Sequence, residues 1–202
     1  MVSRLSFVKL AWAGFGALGI GSAALVGVEL QDDTATETTG NTDTNTDPAT
    51  AEPDPEPEWD VSEAEKAVHR HTNQKRTVTG HEPLAWRDDV AAAAREYAQK
   101  IADAGQVTHT LDGTDPAQRY QRHGITAYNG ENAYRTWWDT EMSTDSGIER
   151  ITTMDEFGES VVQGWFASPG HRDNMLRDNS VAEGIGIERK RRSVYVVQVF
   201  TR

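Results

Sequence analysis

Three polar residues stand where side chains could do chemistry. His171 follows Ser168-Pro169-Gly170 and precedes Arg172-Asp173-Asn174 and an apolar Met175-Leu176 stop; His109 lies in Val107-Thr108-His109-Thr110; Glu131 lies in Asn129-Gly130-Glu131-Asn132. Proline fixes one backbone torsion and glycine permits positive φ, so the Pro-Gly pair is expected to end a helix and turn the chain sharply, presenting His171 rather than packing it. Neutral imidazoles on rigid elements, with a carboxylate nearby, can bind a divalent cation, zinc above all, or orient a water. Each residue also has a plainer reading. His171 can cap the short helix after it, His109 can be a loop histidine, and Glu131 can brace a loop by binding backbone amides. His69 and His71 form a His-x-His pair, but positions i and i+2 point apart on a helix and do not chelate. His81 and His123 have no partner pattern at all.

The elements that must position these residues are legible by period. Asp60 to Val78 reads as a helix with Val61, Ala64 and Val68 on one face, Asp60 as its cap and Glu63 at the capping-box spacing. Asp88 to Ala104 is the clearest helix: Val90, Ala94, Tyr97 and Ile101 recur at helical spacing, Asp88 is expected to cap it, and Gly105 to end it in a left-handed turn. Asp115-Pro116 opens a shorter helix that carries Tyr120 and closes at Gly124. Thr153 and Glu156 repeat the capping-box spacing ahead of Phe157, Val161 and Trp165. Gly184 to Ile187 and Val194 to Phe200 are β-branched runs joined by a basic tip, an antiparallel hairpin. The expected class is α+β, helices around a small antiparallel sheet. Tyr134, Trp137 and Trp138 precede a Thr, Ser and Asp-rich stretch that looks like a loop insertion; they read as core, with contact to a glycan, lipid or protein as the other possibility.

The first part of the chain is of another kind. Residues 1–30 hold Arg4 and Lys9 ahead of an uncharged run from Leu10 to Val28, nineteen residues, enough to span a bilayer. The positive flank is expected to stay in the cytoplasm and to send the chain beyond Glu29 across the membrane. An uncleaved anchor is the first reading and cleavage near Ser22-Ala23-Ala24 with secretion the second. Residues 31–58 contain nine acidic residues, eight threonines and four prolines without one basic residue, a composition expected to stay an extended, unfolded linker. Residues 59–202 then form the single folded domain, with 18 basic and 22 acidic residues. That balance excludes nucleic acid as a partner, since the one basic run, Arg189 to Arg192, is short and reads as a solvated hairpin tip. The chain has no cysteine, so an exported domain would rely on its core alone.

With VTHT, NGEN and SPGHRDNML in order, opened by TNQKR and GHEPLAW and closed by EGIGIERKRRSVYVVQVF, the chain from about Val68 to Phe200 resembles the CAP superfamily of cysteine-rich secretory, antigen 5 and pathogenesis-related 1 proteins. The resemblance implies an α-β-α sandwich and, position by position, a cleft lined by His109, Glu131 and His171. Asn73 and Arg76 fall where the family has its Asn and Arg. Many relatives carry a second glutamate where this chain has Ser168, which removes one carboxylate from the cleft. The function so implied is a non-enzymatic extracytoplasmic module, held at the membrane by its anchor or secreted, that binds a lipid, envelope component or protein in that cleft. The alternative is a zinc-assisted hydrolase with His109 and His171 as ligands and Glu131 as general base.

Overall fold

The structure is a computed structural model that describes residues 57–144 and 147–202. The expected membrane segment and nearly all of the acidic linker lie outside the described residues, and no helix among those described is long and apolar enough to cross a membrane.

Helix α1 (Val61–Val78) starts at Asp60, whose carboxylate accepts from the Glu63 amide. Glu63 does not reciprocate: it pairs with Lys66, so the capping box is half made. The chain then passes through β1 (Ala85–Trp86) into α2 (Asp88–Ala104), which Gly105 ends with φ of 65°. Asp88 is not the cap expected of it. Arg87 occupies that position with no side-chain cap, and Asp88 accepts from the indole N–H of Trp86 instead. A 3₁₀ turn at Leu111–Gly113 leads to α3 (Pro116–Arg122), where Asp115 caps and Pro116 takes the first turn. Then come β2 (Tyr128–Trp137), a small hairpin of β3 (Met142–Thr144) and β4 (Gly147–Glu149), and α4 (Met154–Ala167), which opens with a complete Thr153/Glu156 capping box. Helix α5 (Pro169–Met175) and the long hairpin β5 (Ala182–Lys190) and β6 (Ser193–Thr201) complete the domain.

Ser168-Pro169-Gly170 departs from its expected form. Gly170 is not left-handed; it is the second residue of α5, behind Pro169 in the first turn, and the break between α4 and α5 is made by the extended Ser168 alone. Proline at a first helical position has no amide to leave unpaired, so the sequence that ends one helix also starts the next.

The main sheet has the order β1-β5-β6-β2. β5, β6 and β2 are antiparallel, and the two-residue β1 joins β5 in parallel, so the sheet is mixed rather than wholly antiparallel. Alternation along β5 and β6 sends side chains to two layers. Ile185, Ile187, Val194, Val196 and Phe200 pack with α1 and α4 residues such as Val68, Phe157, Val161 and Trp165. Tyr195, Val197 and Val199 pack with Val90, Ala94, Tyr97 and Ile101 of α2. This is the α-β-α sandwich. Trp138 is fully buried and belongs to the first core; Trp59 sits against it with ring centroids 4.9 Å apart, and the Arg189 guanidinium lies over the Trp59 ring. The chain therefore enters the domain at the hairpin-tip end of the sheet.

Two α1 residues tie the far end of the domain together. Asn73 accepts from the Leu84 amide and donates to the Leu84 carbonyl, fixing the approach to β1. Arg76, fully buried, donates to the carbonyls of Glu82 and Met175, which pins the end of α5 to α1.

Candidate functional site

β2 is an edge strand, and its first residues are where both helical layers meet. Glu131 faces the α2 and α3 side. His109, carried on the loop after α2, approaches it with Nδ1 2.7 Å from Oε1. A carboxylate only accepts, so a proton of this bond sits on Nδ1, and Nε2 has no hydrogen-bond partner among the described residues. The imidazole is 46% exposed while the Glu131 side chain is 1% exposed.

The other oxygen of Glu131 is taken twice. Arg119 Nη2 donates to Oε2 at 2.8 Å, and the Tyr120 hydroxyl donates to the same atom. Arg119 is itself held by its stack on the Tyr97 ring, 3.3 Å from guanidinium carbon to centroid, and by bonds to the His109 carbonyl at 3.3 Å from both terminal nitrogens. Tyr97 in turn donates to the Thr108 carbonyl at 2.6 Å. Burial works most strongly against the Arg119 charge, but Glu131, Tyr120 and Tyr97 together outweigh it and leave that pKa above its ordinary value. Burial, reinforced by Glu131, drives the Tyr120 phenol well up. Arg119, Tyr120 and Tyr97 thus complete a clamp that fixes both the side chain of Glu131 and the backbone of His109.

His171 arrives from the opposite layer, near the start of α5. Its carbonyl accepts from Asn132 Nδ2 at 3.2 Å, and among the described residues its imidazole has no hydrogen-bond partner. Burial first, and the nearby His109 second, lower its pKa below the usual histidine value. Asn174, one turn further along α5, donates to the Glu131 carbonyl at 3.2 Å. Ser168 joins α4 to α5: its amide donates to the Trp165 carbonyl, its carbonyl accepts from the Arg172 amide, and its hydroxyl caps neither helix.

His109 and Glu131 are therefore in direct contact, whereas His171 is linked to β2 through its backbone. Both Glu131 oxygens are engaged, and the contact through Oε1 orients the His109 imidazole. A resident zinc site takes three or more protein ligands, and no group of three His, Cys, Asp or Glu able to hold a metal occurs among the described residues. The remaining histidines are elsewhere: His71 contacts Asp155, His81 Asp178, His123 Glu96, and His69 the buried Glu183.

The profile of the cysteine-rich secretory protein family, CAP, matches residues 69–200. The chain belongs to the CAP family. Among curated proteins, its CAP domain is 26% identical over 121 residues to an uncharacterized protein of Borreliella burgdorferi and 28% identical over 127 residues to the uncharacterized protein YkwD of Bacillus subtilis. These alignments span 60% and 62% of this chain but 66% and 43% of the relatives, less than two thirds of either. Among solved structures, the CAP fold is shared with an outer surface protein from Borrelia burgdorferi, at TM-score 0.55 and 23% identity over 71% of this chain and 96% of that one. It is shared too with an extracellular protein containing a SCP domain from Bacillus anthracis, at TM-score 0.54 and 20% identity over 70% of this chain and 41% of that one.

Proposed function

We propose that this CAP domain is an extracytoplasmic binding module that captures its ligand at the β2 edge, through the outward Nε2 of His109 and the unpaired imidazole of His171. The observation that carries the reading is how Glu131 is held: Arg119 and Tyr120 fix one oxygen and the other holds His109, so the buried carboxylate presents an imidazole. A site built to hold a histidine still, with its second nitrogen open, is built to bind. The ligand class is a lipid, envelope component or protein with a group that two imidazoles can meet. A divalent metal enters as an exchangeable ligand of the same two nitrogens, not as a resident cofactor. In this reading the apolar run from Leu10 to Val28, behind Arg4 and Lys9, is the membrane anchor or export signal, and the acidic residues after it are the linker. The outer-surface and extracellular relatives support placement outside the cytoplasm.

The test is binding of the detergent-solubilised full chain to fractionated envelope material, and to zinc by calorimetry, beside a His109→Ala, His171→Ala double variant. Capture by the wild type that the double variant loses supports the reading. Equal capture by both proteins from every fraction overturns it.

A further inference from the structure

Behind the β2 edge, on the face opposite Glu131, a continuous line of hydrogen bonds crosses the sheet. The Leu84 backbone fixes one end: its amide donates to Asn73 Oδ1 at 2.7 Å and its carbonyl accepts from Asn73 Nδ2 at 3.0 Å, which leaves the amide of Asn73 one possible orientation. Asn73 Nδ2 then faces His69 Nε2 at 3.3 Å and makes that nitrogen the acceptor. His69 accordingly donates from Nδ1 to Glu183 Oε1 at 2.6 Å. Glu183 Oε2 accepts from Gln198 Nε2 at 2.7 Å, so Gln198 presents Oε1 to Asn132 Nδ2 at 3.1 Å. Asn132 then has Nδ2 on the His171 carbonyl and Oδ1 toward Asn174 Nδ2 at 3.0 Å, and that same Nδ2 holds the Glu131 carbonyl. Arg177 closes the line, donating to Asn174 Oδ1 at 2.7 Å and to the Asn129 carbonyl.

Every amide in this line can flip on its own, and none can flip here. The two ends are a backbone peptide and a guanidinium, groups with fixed donor and acceptor roles, and the middle is an acceptor-only carboxylate. Glu183, Gln198 and Asn132 are fully buried, so no water can supply a missing partner and a reversed amide would leave buried groups unpaired.

We infer that Glu183 is a positioning residue for the ligand cleft. Lying on β5, beyond β6 from the cleft, it dictates through Gln198 and Asn132 where the backbones of His171 and Glu131 sit. The inference rests on the reading of that edge as the ligand site, and it assigns the site a support on the far side of the sheet that none of its own side chains touches.

Two variants and one wild-type measurement test it. Glu183→Gln keeps size but offers a donor where two donors converge; Glu183→Gln/Gln198→Glu exchanges carboxylate and amide and restores every donor–acceptor match. In the isotope-labelled full chain, the side-chain amide signals of Asn132 and Asn174 and the ring signals of His171 are expected to shift in Glu183→Gln and to return in the exchange variant. Unchanged signals in the single variant, or shifted signals in a folded exchange variant, overturn the inference. Should a variant fail to fold, neutron diffraction of the wild type decides: deuterons on Gln198, Asn132 and Asn174 in the stated sense support it, and any one reversed overturns it. If these results hold but the wild type captures nothing, the ligand-site reading fails while the coupling stands.

Discussion

Glu131 and Asn132 are neighbours in sequence and lie on opposite faces of β2, one turned to His109 and Arg119, the other to His171 and Gln198. An edge strand is the one place where this alternation lets consecutive residues serve a single cleft, since elements of both layers can wrap around the unpaired side.

Glu131→Gln is expected to destabilise the domain strongly. Arg119, 7% exposed, would keep its charge under Tyr97 and Tyr120 with no carboxylate beside it, and breaking a buried pair from one side costs about 3–5 kcal/mol. Urea unfolding measures the loss; a change below about 1 kcal/mol would mean that solvent reaches the guanidinium. Glu131→Leu/Arg119→Met, which removes both charges, is expected to recover most of it.

The lowered pKa of His171 gives stability a pH dependence of known sign. Burial disfavours the imidazolium in the folded state relative to the ordinary value of 6.5, so the folded chain binds fewer protons than the unfolded one at mildly acid pH. The contribution is complete above 6.5 and is lost as pH falls from there toward the folded pKa. Between pH 7.5 and 5 the wild type is expected to lose unfolding free energy relative to His171→Gln, which has no imidazole to protonate. A constant difference between the two proteins would show that His171 does not titrate this way.

Gly184→Ala and Gly186→Ala are expected to be among the most damaging small changes. A Cβ at Gly184 would stand 2.2 Å from the Ala91 amide nitrogen, and one at Gly186 would stand 2.1 Å from that of Arg95. The obstacle is helix backbone, so α2 would have to lift from β5, at a cost of about 3 kcal/mol or more. Thermal unfolding reads it directly. Retained stability would require α2 to slide on the sheet.

Asp103→Ala provides the contrast. Asp103 holds Lys190 at 2.6 Å with the two side chains 65% and 53% exposed, and exposed pairs of this kind contribute less than about 0.5 kcal/mol after screening. No resolvable shift in unfolding midpoint is expected, with or without added salt.

The periodic parts of the fold were readable because local physics alone makes them. Asp60, Asp115 and Thr153 cap the helices their spacing announces, and Gly105 takes the left-handed turn. Asp88 misled because Arg87 already has the extended backbone of a cap and Trp86 captures the Asp88 oxygen. His109 and Glu131, 22 residues apart in the chain, were identifiable as types in family context, yet nothing in their spacing states that they touch. Arg119 and Tyr120 carried no signal at all: they look like ordinary members of a short polar helix until α3 is docked on β2. The row from Asn73 to Arg177 was equally silent, because amides owe their orientation to partners on several different elements.

Trp59 closes the domain at the hairpin tip, whereas His109 and His171 open at the other end of β2, about 20 Å away at the rise of a strand. Entry and mouth thus lie at opposite ends of one sheet, so a label fixed at Trp59 would report on the hairpin tip without crowding the imidazoles.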